Sequence, residues 1–168
     1  MKSKLFLTIY LLVIAMLILP SCAKMDTVQQ PVFKNTVTTN LSYDEVWDKV
    51  VDFFAESGVN ISTIEKASGI IVASKTPFNS FTFSKGGVWD NPNALILLSS
   101  DAPNKNGWSR YLITGDWNVR VKTIEGQVSI TINLYNLVCA IELLDGKIKY
   151  CNAYSTGKFE GALLDLFK

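Results

Sequence analysis

From about residue 31 to residue 168 the chain reads as a single α+β domain: a curved, mostly antiparallel sheet with an N-terminal and a C-terminal helix packed on one face. Three observations predict it. A doubly marked helix start at Leu41-Ser42 is followed by one broad apolar stripe. The C-terminal half alternates apolar and polar residues around two turn signals, Glu125-Gly126 and Asp145-Gly146. The chain then closes on a second apolar stripe at helical spacing.

A strand is expected over about 32–39. Ser42 with Glu45 three residues on forms a capping box, Leu41 can staple onto Val46, and Tyr43, Val46, Trp47, Val50, Phe53 and Phe54 recur at helical spacing until Gly58 supplies the stop. Val59, Ile61 and Thr63 then alternate, Ala67-Ser68-Gly69 makes a turn, and Ile70 to Ala73 forms a short apolar strand. Residues 76–110 are the least regular. Their clear element is a buried strand from Ala94 to Ser99, flanked by two turn-rich loops that carry Trp89 and Trp108.

In the C-terminal half the registers can be argued. A two-residue turn at Glu125-Gly126 sets Thr123 opposite Val128, Val121 opposite Ile130, Val119 opposite Ile132 and Trp117 opposite Leu134, keeping apolar side chains on one face. Past Leu134 the apolar parity flips, which implies a bulge near Leu134-Tyr135-Asn136. The same reasoning at Asp145-Gly146 pairs Leu143 with Ile148, Ile141 with Tyr150 and Cys139 with Asn152, so Cys139 and Cys151 are expected on opposite faces as free thiols. A three-residue loop would instead set the two cysteines opposite each other. Ser155-Thr156-Gly157 reads as the cap of the last helix, with Phe159, Ala162, Leu163, Leu166 and Phe167 on its stripe and Glu160 in its first turn.

Residues 1–21 are a different kind of segment. Lys2 and Lys4 precede an apolar run from Leu5 to Leu19, shorter than the ~20 residues a membrane span needs, and the pattern is that of a secretory signal. Leu19-Pro20-Ser21-Cys22 resembles the bacterial lipobox. The resemblance implies cleavage before Cys22, a diacylglycerol on its thiol, and a lipid-bearing tether over 22–30. Ala23 behind the cysteine implies the outer membrane, with the periplasmic face favoured over the cell surface. Asp26-Thr27-Val28 resembles an O-glycosylation signal of the Bacteroidetes envelope, which would make Thr27 its acceptor.

Composition narrows the function classes. Taking 21 residues from 168 leaves 147, one domain of ordinary size. Its charge is near −1, from 14 basic residues (16 less Lys2 and Lys4) against 15 acidic, which does not suggest a nucleic-acid partner. Histidine is absent, so a Ser-His-Asp triad, a Cys-His pair and a histidine-bearing zinc site are excluded. With Cys22 on lipid, two cysteines are too few for a cysteine-only zinc site. No enzyme, metal or cofactor is expected.

Leu41-Ser42-Tyr43-Asp44-Glu45-Val46-Trp47 through Ile70-Ile71-Val72 resembles the helix-grip repeats of the BamC lipoproteins of outer-membrane β-barrel assembly. Trp117-Asn118-Val119-Arg120 and Tyr154-Ser155-Thr156-Gly157-Lys158-Phe159-Glu160 look like a motif of small Bacteroidetes lipoproteins. Together these imply a non-catalytic, lipid-anchored envelope scaffold with a protein partner. The alternative is a surface accessory that binds glycans or nutrients through loop tryptophans. The candidate binding residues are therefore Arg120, with Asn118 and Lys122 on the polar face of its strand, or Trp89 and Trp108.

Overall fold

The computed structural model describes residues 30–85, 88–99 and 110–168. Strand β1 is Thr36–Thr39, shorter than expected. Asn35 still accepts from the Ile132 amide at 2.9 Å, and two residues earlier the Phe33 ring lies against Gly157, where an added Cβ would sit 2.5 Å from Cγ of the ring. Helix α1, Tyr43–Glu56, begins with the full capping box: the Ser42 hydroxyl accepts from the Glu45 amide and the Glu45 carboxylate accepts from the Ser42 amide at 2.9 Å. Its stripe buries Val46, Trp47, Val50 and Phe54. Full burial of a side chain such as Val50 or Phe54 is worth roughly 1.5–3 kcal/mol.

Two short bonds end α1: the Gly58 amide reaches Ala55 O at 3.1 Å and the Val59 amide reaches Phe54 O at 3.0 Å. This is a Schellman closure around a left-handed Gly58. It explains a difference from expectation, since Val59 belongs to the helix end and β2 is only Thr63–Glu65. The remaining elements are β3 (Ile70–Pro77), β4 (Phe81–Lys85), β5 (Val88–Trp89), β6 (Ile96–Leu98), β7 (Arg110–Ile124), β8 (Gln127–Glu142), β9 (Ile148–Cys151), β10 (Ala153–Ser155) and α2 (Lys158–Asp165).

The class is α+β with mostly antiparallel pairing, but the expectation of one sheet is corrected to two. A six-stranded sheet runs β1-β8-β7-β3-β2, with β9 also on β8, and a four-stranded sheet runs β10-β6-β4-β5. Within the second, β4 and β6 are parallel. The reason lies in β6, whose Ile96, Leu97 and Leu98 are all fully buried. A strand without alternation needs cover on both faces, which a sheet open to solvent on one side does not give. One core gathers Ile113, Trp117, Val119, Val121, Val128, Ile130 and Ile132 of the large sheet with α1, α2 and β6. Trp117 is central: it stacks on Phe159 at 4.4 Å and meets Phe78 edge-on at 5.9 Å.

The β7–β8 hairpin has the expected register, with Thr123–Val128, Val121–Ile130, Val119–Ile132 and Trp117–Leu134 opposite each other. The expected bulge is present as a slip between Thr114 and Asp116, with Asn136 left-handed at φ 50°. The β8–β9 register is a correction. Cys139 lies opposite Cys151, Ile141 opposite Lys149 and Glu142 opposite Ile148. The loop holds three residues, closed by Leu143 N–H to Lys147 O and Gly146 N–H to Leu143 O, both at 2.9 Å. Gly146 takes the left-handed position, φ 75°, that ends such a loop. Asp145 fixes it by accepting from the Lys147 amide at 3.1 Å and pairing with its ammonium at 2.7 Å. The two cysteines therefore share a face.

Candidate functional site

Strand β7 alternates. Ile113, Trp117, Val119 and Val121 point into the core, and the residues between them point the other way. Asn118, Arg120 and Lys122 thus share the outward face expected of them, and the pairing extends that face across neighbouring strands. Asn133, Thr131 and Ser129 of β8 stand opposite these three. Thr36 and Thr38 of β1 stand opposite Thr131 and Ser129. Hydroxyl and amide side chains dominate the β1-β8-β7 portion, and among the described residues no helix or strand covers it.

Internal hydrogen bonds order part of this field. Thr36 and Thr131 hydroxyls meet at 3.0 Å, and Asn35 Nδ2 donates to Asn133 Oδ1 at 2.7 Å. Arg120 and Lys122 are different: both are exposed, and neither is held by an ion pair among the described residues. The only nearby acid on the same strand face, Asp116, is engaged elsewhere. It accepts from the Lys75 amide at 2.7 Å and from Asn136 Nδ2 at 2.9 Å. Among the described residues the face therefore presents two cations outside any ion pair over a polar surface, suited to a partner's carboxylates and hydrogen-bonding groups. The alternation of β7 was the signal for Asn118, Arg120 and Lys122. The β8 and β1 residues could have been found from the same hairpin register.

Of the two tryptophan candidates, Trp89 is not brought to this face. Trp89 is half-buried on β5, a two-residue strand of the smaller sheet paired with Ser84. Trp108, Cys22 and Thr27 lie outside the described residues. The Ser155-Thr156-Gly157 turn is committed to structure, though not as expected. The N-cap of α2 is Gly157 itself, left-handed and without a side-chain cap. Thr156 instead donates to Ala94 O at 2.7 Å, tying the helix start to β6. Ser155 donates to Glu160 Oε1 at 2.7 Å.

The sequence marks Glu160 only as a first-turn acid, yet it is 1 % exposed and its Oε2 has no partner among the described residues. It borders a cleft of about 320 Å³ beneath Pro31, Val32 and Phe33. Burial pushes its carboxyl above the ordinary glutamate range, against the opposing hydrogen bond from Ser155. No group of three or more Cys, Asp or Glu among the described residues could hold a metal ion, and no described helix is long and apolar enough to cross a membrane. No family model matches the chain, and no curated protein matches it.

Proposed function

We propose that this chain is a non-catalytic binding domain, held by a lipid on Cys22 at the outer membrane of a bacterium, that takes a protein partner on the uncovered face of its large sheet. The observation that carries the reading is the outward row Asn118, Arg120 and Lys122, set among hydroxyl and amide groups, with neither cation held in an ion pair among the described residues and the adjacent Asp116 engaged elsewhere. Charged groups on an exposed polar surface steer and orient a partner. The lipobox supports the anchor, since two or three acyl chains on one cysteine suffice for stable attachment at ~0.8 kcal/mol per buried methylene. Ala23 behind the cysteine supports the outer membrane, and the weak acidic export signal that follows it, Lys24 and Asp26, supports the periplasmic face. The likeness of the α1 region to helix-grip repeats supports a place as an accessory of outer-membrane assembly.

Affinity capture from envelope extract tests the reading. Three forms are compared: the parent, Arg120→Glu with Lys122→Glu, and Trp89→Ala. One protein partner retained by the parent and by Trp89→Ala, and lost from the double charge reversal, is the expected result. Loss with Trp89→Ala alone, together with retention on a glycan matrix by the parent, would move the function to the glycan-binding alternative.

A further inference from the structure

Strand β9 is the last of the large sheet, and β10, one residue later, belongs to the small one. The chain crosses between sheets at Asn152, whose carbonyl accepts from the Ser99 amide at 2.9 Å. Cys151 is the residue just before that crossing. Its thiol donates to Cys139 Sγ at 2.7 Å, across a register that places the two residues directly opposite. Cys139 is fully buried near the C-terminal end of β8, between β7 and β9, and Cys151 is half-buried on the edge strand. Two side chains that each reach the other without backbone movement meet the geometric requirement for a bridge.

We propose that Cys139 and Cys151 are a disulfide site that fastens the edge strand to the large sheet at the point where the chain leaves for the small one. The oxidant is a second disulfide, supplied by a small molecule or by a protein that exchanges thiols. The more accessible Cys151 thiolate attacks one sulfur of that disulfide, forming a mixed disulfide and releasing one thiolate, which takes up the proton Cys151 gave up. The Cys139 thiolate then attacks the Cys151 sulfur. The bond to the external sulfur breaks, the Cys139–Cys151 bond forms, and the second external thiolate takes up the second proton. Two protein thiols have lost two electrons and the external disulfide has gained them. In the reduced protein the hydrogen bond from the Cys151 thiol holds the Cys139 thiol below its ordinary pKa, against the desolvation that raises it.

The test uses the purified full-length chain, freshly reduced and then incubated with oxidised glutathione, so it does not depend on the proposed location. Trypsin leaves Cys139 in peptide 123–147 and Cys151 in peptide 150–158. The expected product is those two peptides joined, two hydrogens lighter than their sum. The oxidised protein should melt about 10 °C above the reduced one, a gap absent from Cys151→Ser. Exchanging the residues at 151 and 152 (Cys151→Asn with Asn152→Cys) keeps two thiols but turns one of them to the other face of β9, away from Cys139, which should abolish the bridge. A glutathione adduct that persists on Cys151, or alkylation of both Cys139 and Cys151 after incubation, would overturn the proposal. So would an undiminished bridge in the folded exchange variant.

Discussion

Asp116 holds Asn136 across the β7–β8 hairpin, Oδ2 to Nδ2 at 2.9 Å, at the one point where that hairpin slips register. Its other oxygen takes the Lys75 amide at 2.7 Å, where β3 slips against β7 in turn. Lys75 and Asn136 are both left-handed, at φ 53° and 50°. One carboxylate thus braces the irregularities of both neighbouring strands, immediately beside the outward row of Asn118, Arg120 and Lys122. Opposite it the inner side is closed: a Cβ on Gly115 would sit 2.9 Å from Leu137 Cδ2 and 3.0 Å from Leu134 Cδ1.

Asp116→Ala should therefore lower the melting temperature, and its effect should overlap with that of Asn136→Ala, so that the double variant loses less than the two single losses together. The Lys75 amide first, and the Asn136 amide second, hold the Asp116 carboxyl below the ordinary aspartate range. The stabilisation is present above the unfolded pKa of ~3.9 and is lost as pH falls through the folded value. Melting curves of parent and Asp116→Ala should converge in strong acid. Strict additivity with Asn136→Ala would refute the brace.

Glu160 has the opposite sign. Its folded pKa is raised, so the native state binds its proton more tightly than the unfolded chain does. The resulting stability is complete below the unfolded pKa of ~4.3 and is lost as pH rises through the folded value. Glu160→Gln removes that titration while keeping an oxygen for the Ser155 hydroxyl. The stability difference between parent and Glu160→Gln should shift in favour of the variant as pH rises from about 4 to 8. A difference independent of pH in chemical denaturation would contradict the buried-acid account.

Gly69 is the tightest backbone approach in the large sheet. It is left-handed at φ 68°, and an added Cβ would lie 2.0 Å from Val121 O. The Gly69 carbonyl also accepts from the Val121 amide at 2.8 Å, so the two backbones have no room to separate. Gly69→Ala should cost more than about 2 kcal/mol, combining left-handed strain with the steric shift. Exposed Ser68→Ala beside it should stay within about 0.5–1 kcal/mol. Equal urea midpoints for the two variants would rule this out.

How much of this was legible in the sequence depended on how differently the two faces of each strand are solvated. In β7 and β8 one face is core and the other polar, so Val119–Ile132 and Val121–Ile130 could be read off and were found. In β9 the rule points the wrong way. Ile148 and Tyr150 are 58 % and 73 % exposed, so matching apolar residues across the strands selected the wrong loop length. The information that decides it is the left-handed Gly146 and the Asp145 bonds to Lys147, which pattern matching does not weigh. The second sheet was missed for a related reason. The buried strand at Ile96–Leu98 was recognised, but its partners Phe81–Phe83 and Ala153–Ser155 are distant in sequence and one of them is parallel. Of the site, Asn118, Arg120 and Lys122 followed from alternation alone, whereas burial of Glu160 and the placing of Phe33 on Gly157 are tertiary and carry no local signature.

The central claim is that the uncovered sheet face, rather than a helix or a loop tryptophan, meets the partner. A photoreactive amino acid at Arg120, compared with one at exposed Asp52 on α1 and one at Trp89, measures this most directly in living cells. The account predicts one discrete cross-linked protein from position 120 and none from position 52 or 89. Cross-linking from position 89 but not 120, or equal yields from 52 and 120, would contradict it.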